Sequence, residues 1–503
     1  MAEMTRRGFL GGIASLGAAG MFPFAAAGAP GGKPRLTLGI LSDVHLARVV
    51  SKKSGEVSFA GESMLRKALA WFDGEGVDAV AICGDIADHG LVEELAVLAK
   101  AWDDVFPGGK GSGGRPVEKL FIFGNHDWAG HAYGGAAKAQ FGGEWAKHTL
   151  RHNHQKAWKE LFREDFEPVW RKEVKGFSFV GAHWTVGDCK GRDEVFNSGL
   201  EDWFGKNGKT LDPSKPFFFL QHPAPKGTCH GDWLWGQDTG ASAAMLSKFP
   251  NAVALSGHSH ASVGDDRFLW RGPFTSVGAG SLKYTGIQYA DFAPYGREND
   301  GWCANDSDEN AWKTMGVVPR HEGHQGMLLR VYGDRMSFER RDFGDMGLLG
   351  DDVAVPLPAK PASMKSLAAA SAAPAFRKDA KLAVRLSEAK NRGSRRVKKA
   401  LLPVLEVEIP PADAIPRARA QDFTVKVSDA AGRSDTRCAF ASGFFRSRDN
   451  AQAHAPTLFS VALSRLGLGG ECTVEVAPRN SYGKAGAPLR AKIELPAKPA
   501  AKA

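Results

Sequence analysis

Hydrophobic and polar positions along the first two thirds of the chain repeat a rhythm of apolar strand, amphipathic helix and apolar strand. Residues 34–46 read as a strand, and 62–72 carry Leu65, Leu69 and Phe72 at helical spacing. Residues 77–86 form a second strand, 91–106 a second amphipathic helix and 120–123 a third strand. This succession implies parallel strands with right-handed crossovers, whose ligands gather at the carboxyl ends of the strands. A polar, aromatic-rich insertion follows at 128–170, helical around 144–162. Strands are expected at 177–181, 217–220 and 252–255, with a helix at 241–248. Residues 274–277, 326–331 and 335–341 read as antiparallel strands closing a second sheet. The connection 284–325, with Tyr289, Tyr295, Trp302 and Trp312, is long enough for a pocket wall or lid as well as for a packed surface loop.

The pattern changes near residue 357. Residues 358–375 are rich in Ala, Pro, Ser and Lys and read as a linker. Beyond it, short alternating runs at 404–409, 423–427, 438–445, 458–463, 472–477 and 489–495 indicate a small all-β sandwich over 376–498. Its run from Cys472 through Asn480, Tyr482 and Gly483 resembles the last hairpin of a fibronectin type III domain.

A chain of 503 residues needs more than one core. Its 43% hydrophobic and 24% charged content is ordinary for globular proteins. The net charge of +9 is concentrated: residues 377–399 hold ten Lys or Arg and two acids. That stretch is a solvated basic strand and linker or a contact to an anionic lipid or glycan surface, so envelope or glycan contact through the C-terminal domain is a candidate role. No nucleic-acid-binding module is evident, since the aromatic interleaving of a single-strand groove is missing. The glycine-rich run 108–114 lacks the spacing of a phosphate loop and reads as a flexible loop.

At the N-terminus, Arg6-Arg7-Gly8-Phe9-Leu10 precedes a weakly apolar Gly/Ala run and then Ala25-Ala26-Ala27. This resembles a twin-arginine signal peptide over residues 1–27 and implies a periplasmic or secreted protein. That route exports folded chains, which suits a protein loaded with metal inside the cell. None of the six cysteines forms a C-x-x-C pair. Cys83 reads as a small core residue, and Cys438 with Cys472 are candidates for a disulfide in an oxidising compartment.

The chemistry lies in five polar clusters, each following an apolar strand: Asp43-Val44-His45, Gly84-Asp85-Ile86-Ala87-Asp88, Gly124-Asn125-His126-Asp127, Gln221-His222-Pro223 and Gly257-His258-Ser259-His260. Oxygen and imidazole donors converging on one sheet edge are how a two-metal site is built. The ordered set D-x-H, G-D-x-x-D, G-N-H-D, H and G-H-x-H resembles the calcineurin-like metallophosphoesterase family over residues 35–345. The resemblance implies an α/β fold, a four-layer α/β/β/α sandwich of two sheets over 34–357, ahead of the small all-β sandwich. Two cations about 3.5–4 Å apart repel, so a carboxylate must lie between them, and Asp85 is the natural bridge. By the resemblance, Asp43, His45 and His260 complete one metal and Asn125, His222 and His258 the other. The donors suit two divalent or trivalent ions: Mn, Fe, Zn or Co.

The same resemblance gives His126 the role of stabilising phosphoryl oxygens or protonating the leaving group. Asp88 would hold its ring, with Asp127 as an alternative partner and helix capping as another role for Asp88. His89 stands where phosphoprotein phosphatases carry a phosphate-clamping Arg, and Asp88 where purple acid phosphatases carry Tyr. Both departures point away from those subfamilies. His89, His183 and His230 are further candidates for the substrate pocket. The implied reaction is hydrolysis of a phosphomonoester or phosphodiester by in-line attack of a metal-bridging hydroxide. The alternative is a non-catalytic metal-bound scaffold or a surface-binding protein that uses the β-sandwich. If that sandwich is only a tether, removing everything after Ala375 spares the chemistry.

Overall fold

Strands covered on both faces need apolar residues at every position, and β1 (Leu36–Leu41) is buried throughout. The computed structural model describes residues 32–185, 199–231, 234, 236–285, 323–390, 401–415 and 418–496. The signal-like segment, most of the 284–325 connection, Cys189 and Cys303 lie outside them. A hairpin of β2 (Ala47–Val50) and β3 (Val57–Ala60) follows β1. Then come β4 (Ala79–Cys83) and β5 (Glu118–Ile122), both parallel in succession to β1. Helices Glu62–Glu75 and Val92–Val105 make the crossovers.

The second half adds β6 (Val169–Val174), β7 (Phe177–Ala182), β8 (Phe217–Leu220), β9 (Ala252–Ser256), β10 (Leu269–Arg271) and β11 (Thr275–Gly278). Their order is β10-β11-β9-β8-β7-β6, with β7, β8, β9 and β11 parallel and the edge strands antiparallel. Three more strands, β12 (Gln325–Val331), β13 (Arg335–Asp342) and β14 (Val353–Pro356), close the first sheet as β14-β13-β12-β1-β4-β5. This corrects the sequence reading of 326–341 as part of the second sheet. β12 pairs antiparallel with β1, a choice the alternation of its side chains does not encode. Residues 274–277 do enter the second sheet, but parallel to β9.

The two sheets face each other across one core, in which Ile40, Ala81 and Leu120 meet Phe179, Phe218 and Leu255. Helices Glu62–Glu75, Val92–Val105 and Leu150–Phe162 cover the outer face of the first sheet. Gly199–Asn207 and Ala241–Leu246 cover the second. The result is the four-layer α/β/β/α sandwich.

The C-terminal region holds β15 (Ala383–Lys390), β16 (Leu401–Ile409), β17 (Asp422–Asp429), β18 (Ser434–Phe440), β19 (Thr457–Ala462), β20 (Gly470–Arg479) and β21 (Leu489–Leu495). They form sheets β15-β16-β19 and β18-β17-β20-β21 around a core of Leu405, Val407, Phe423, Val425, Val474 and Val476. β15 lies within the basic stretch 377–399 that the sequence reading takes as a solvated strand and linker. The candidate disulfide is absent: Cys438 and Cys472 are free and buried, and Cys438 Sγ lies 3.3 Å from Asp422 Oδ2.

The linker is not slack. It contains the helix Met364–Ala370, and Ala362 N donates to Arg271 O at 2.9 Å. The sandwich is fastened to the two α/β sheets. Gln325 Nε2 donates to Phe445 O at 2.7 Å, Arg448 N to Leu348 O at 2.8 Å, and Ser447 Oγ to Asp345 Oδ2 at 2.6 Å. A cleft of about 520 Å³ remains between the two parts. Among the described residues no helix is long and apolar enough to cross a membrane.

Candidate metal centre

The carboxyl ends of β1, β4 and β5 in one sheet, and of β8 and β9 in the other, deliver the five polar loops to one place. Asp43 Oδ1, His45 Nε2 and His260 Nε2 form one donor set. His260 lies 3.1 Å from Asp43 and from His45, and His45 lies 3.8 Å from Asp43. Asp85, His222 and His258 form a second, with His222 Nε2 3.1 Å from Asp85 Oδ2 and 3.2 Å from His258 Nδ1. Asp85 Oδ2 is also 3.6 Å from His45 Nε2, so one carboxylate touches both sets. Donor atoms at these separations fit around an ion that binds each at about 2.0–2.2 Å. Asn125 supplies the other sign of a metal site. Its Oδ1 is buried with no hydrogen-bond partner among the described residues, while its Nδ2 donates to Tyr133 Oη at 2.9 Å. A buried carbonyl oxygen left unpaired is costly unless a cation takes it.

Three ligand rings are oriented from behind. His45 Nδ1 bonds Asp88 Oδ1 at 2.8 Å, His222 Nδ1 donates to Cys83 O at 2.7 Å, and His260 Nδ1 to Tyr284 O at 3.1 Å. Each bond fixes the tautomer that turns Nε2 inward. The backbone is strained to do this. Asp43, His45, Asp85, His258 and His260 make up five of the nine non-glycine residues with positive φ among those described. Each such conformation costs roughly 1–2 kcal/mol, and its concentration here marks a functional site. The motif glycines allow close approach: a Cβ on Gly84 would strike the His222 ring, and one on Gly124 the Asp85 carboxylate. Asp127 joins two of the loops, accepting from Ala87 N at 2.7 Å, Gly124 N at 2.8 Å and Ile86 N at 3.1 Å.

The sequence matches the calcineurin-like phosphoesterase family over residues 36–262. Residues 36–262 form a calcineurin-like phosphoesterase domain. The match supports metal-dependent phosphoesterase chemistry for this domain. No curated protein matches it. Among solved structures, it is similar to a dimetal phosphatase from Danio rerio, at 12% identity and a TM-score of 0.35 over 64% of this chain and 99% of that one. It is also similar to a purple acid phosphatase from yellow lupin (Lupinus luteus), at 14% identity and a TM-score of 0.38 over 65% of this chain and 56% of that one. Overlaps this loose carry no functional weight.

Around the phosphoesterase centre the remaining candidates separate. His126 lies beside it, its ring 4.5 Å from that of His45, edge to face. Its Nδ1 donates to the Asp88 carbonyl at 2.7 Å, and the Asp88 carboxylate is farther, at 3.6 Å. The expected side-chain bond from Asp88 therefore goes to His45, and the backbone of Asp88 holds His126. Asp127, the alternative partner, is engaged with backbone amides instead. His89 stays at the rim, with Nδ1 on the buried Glu94 carboxylate at 2.8 Å and Nε2 3.7 Å from Asp88 Oδ2. His183 lies outside both donor sets. It is buried against Phe123, Trp158 and Phe166 and accepts from Phe123 N at 3.0 Å. Burial pushes it down to about 3. His230 is also buried, 3.5 Å from Asp265 and outside both donor sets. An aromatic or acidic neighbour far away in sequence captured each of these two, which no local pattern discloses.

Electrostatics divides the candidate ligand histidines among themselves. Burial alone would raise the Asp43 and Asp85 carboxyls, but the surrounding imidazoles hold both well below the usual range. Burial alone would lower His222, yet Asp85 and Asp43 keep it at about 9. Burial and the charge of His222 take His258 down to about 3. In the metal-free protein His222 is thus an imidazolium at neutral pH, whereas a metal ligand must be neutral. Metal uptake should release protons, and affinity should climb by up to about tenfold per pH unit per proton until the raised imidazoles of His222 and His45 have lost theirs. Calorimetry in buffers of different ionisation enthalpy measures this, and an affinity flat from about pH 6 to about 8 would contradict it.

Proposed function

We propose that the chain is an exported dinuclear-metal phosphohydrolase acting on phosphomonoesters or phosphodiesters. One observation carries the chemistry: the Asp85 carboxylate is shared by two donor sets. Asp43, His45 and His260 would hold one ion with Asp85; Asn125, His222 and His258 would hold the other. When bound, two such ions neutralise phosphoryl oxygens and bring the pKa of water toward neutrality.

The chain's own residues position and move protons around that pair. Asp85 Oδ1 accepts from His126 N at 2.8 Å, which fixes His126 next to the bridge. With Nδ1–H given to the Asp88 carbonyl, His126 presents Nε2 toward the open side. To protonate a leaving oxygen the ring must carry both protons. Burial lowers its pKa, so the negative charge of a bound phosphoryl group has to supply the bias. Burial alone would raise Asp88, but the bond and charge of His45 outweigh it and bring the carboxyl down to about 2, leaving an anion that keeps His45 in place. At the rim stands His89, whose pKa is raised by its bond to Glu94. A half-exposed imidazole binds phosphate less firmly than a bidentate Arg, which favours small phosphoesters over phosphoprotein.

Export rests on the Arg6-Arg7 segment. It would put the enzyme in the periplasm or outside the cell, where the outer face of the fibronectin-like sandwich would meet envelope or glycan surfaces. Replacing both arginines by Lys should leave a reporter fused behind residue 31 in the cytoplasm; continued export would remove this part of the reading.

The catalytic test is a panel of aryl monoesters and diesters with metal-loaded protein. His126→Ala should lower kcat by about 10²–10⁴ while retaining both metals. Turnover equal to wild type would remove His126 from the mechanism.

A further inference from the structure

We infer that Tyr133, in the insertion after the third sheet motif, is the residue that orients Asn125 as a metal ligand. The inference rests on the dinuclear reading and extends it to a residue no motif contains.

An amide ligand has a problem that a carboxylate lacks. Its two ends have the same shape, but only the oxygen binds a cation, and the nitrogen end would present two N–H groups to it. Something must select the end. Here the selector is a hydroxyl. Asn125 Nδ2 donates to Tyr133 Oη at 2.9 Å, and the opposite end, Oδ1, is left buried and without a hydrogen-bond partner among the described residues. Tyr133 thus gives the nitrogen an acceptor on the far side and leaves the oxygen for an ion. The ring also packs edge-on against His126, with centroids 4.6 Å apart and planes at 63°. One side chain therefore steadies both residues of the Asn125-His126 pair.

The reach is tertiary. Tyr133 lies in the short helical turn Gly130–Gly135 that follows Asn125–Ala129, and the chain there is held close to the 88–90 loop. A Cβ on Gly130 would stand 2.7 Å from the Asp88 carbonyl, and one on Gly90 2.7 Å from that of Asp127. This packing returns Tyr133 to a residue eight positions earlier.

The test titrates the metal-stripped full chain with Co²⁺, reading both binding steps by calorimetry and visible absorption. Tyr133→Phe should weaken one step about 10–100-fold and change the other by less than about threefold. Asn125→Asp has oxygen at both ends and needs no selector, so adding Tyr133→Phe to it should shift neither step by more than about threefold. That background-dependence is a signature a merely structural role would not produce. Unchanged binding in Tyr133→Phe, equal weakening of both steps, or the same loss in the Asp background would each overturn the assignment. Uptake of fewer than two Co²⁺ by the wild type would overturn the dinuclear reading itself, and this assignment with it.

Discussion

Asp85→Asn should leave a folded protein that no longer holds two metals and no longer hydrolyses phosphoesters. Asp85 Oδ2 stands 3.1 Å from His222 and 3.6 Å from His45, so its charge is felt by both donor sets. A unit charge about 4 Å from a cation is worth about 4 kcal/mol at an effective dielectric of about 20, or about 10³ in affinity for each ion. The Asn oxygen still accepts from His126 N, so the local backbone keeps its bond, and the circular dichroism should be that of the wild type. Metal content per chain and turnover of an aryl phosphate are the measurements. Two metals with wild-type turnover would show that the bridge lies elsewhere.

The second large effect concerns the C-terminal sandwich. Deleting residues 376–503 should not spare the chemistry, contrary to the tether expectation. Gln325, fully buried at the start of β12, accepts at Oε1 from Val263 N at 2.9 Å and from Ser262 Oγ at 3.1 Å, and donates at Nε2 to Phe445 O. Ser262 and Val263 lie two and three residues after His260. The sandwich therefore helps hold the turn that carries a ligand. Truncation also uncovers Leu348 and Leu349, which the 419–448 region covers and bonds through Arg448 and Arg419. The expected outcome is aggregation or a much lowered melting temperature, with weaker metal uptake in any soluble fraction. Because deletion alone confounds folding with function, full-length Gln325→Leu is the sharper variant. It strands several buried polar groups and should cost roughly 2–4 kcal/mol in urea unfolding. A truncated protein with wild-type stability and turnover would restore the tether.

Much of the centre was legible because its donors are chemically unusual where they stand. Asp, His and Asn at the ends of apolar strands have no reason to be there unless something charged meets them. The seven candidate ligands are brought together by five strands whose order follows from parallel βαβ succession. His183 has the same strand-end placement and His230 follows in the loop after β8, yet both are buried away from the donor sets. Their partners, Phe123, Phe166 and Asp265, are distant in sequence. The Asp88 reading failed in its detail because a residue's carbonyl and its carboxylate are equally compatible with the motif, and only the turn geometry assigns one to His126 and the other to His45.

The sequence by itself determined the βαβ succession, the all-β tail and the candidate metal donors, since burial periodicity and donor chemistry are local properties of the chain, while the four-layer arrangement came from the family resemblance of its motifs. The tertiary structure alone decided that β12 and β13 join the first sheet, that Cys438 and Cys472 stay apart, that Tyr133 returns to Asn125 and that Phe445 reaches Gln325. Those are contacts between residues with no sequence relationship, fixed by how the layers and the two parts of the chain pack.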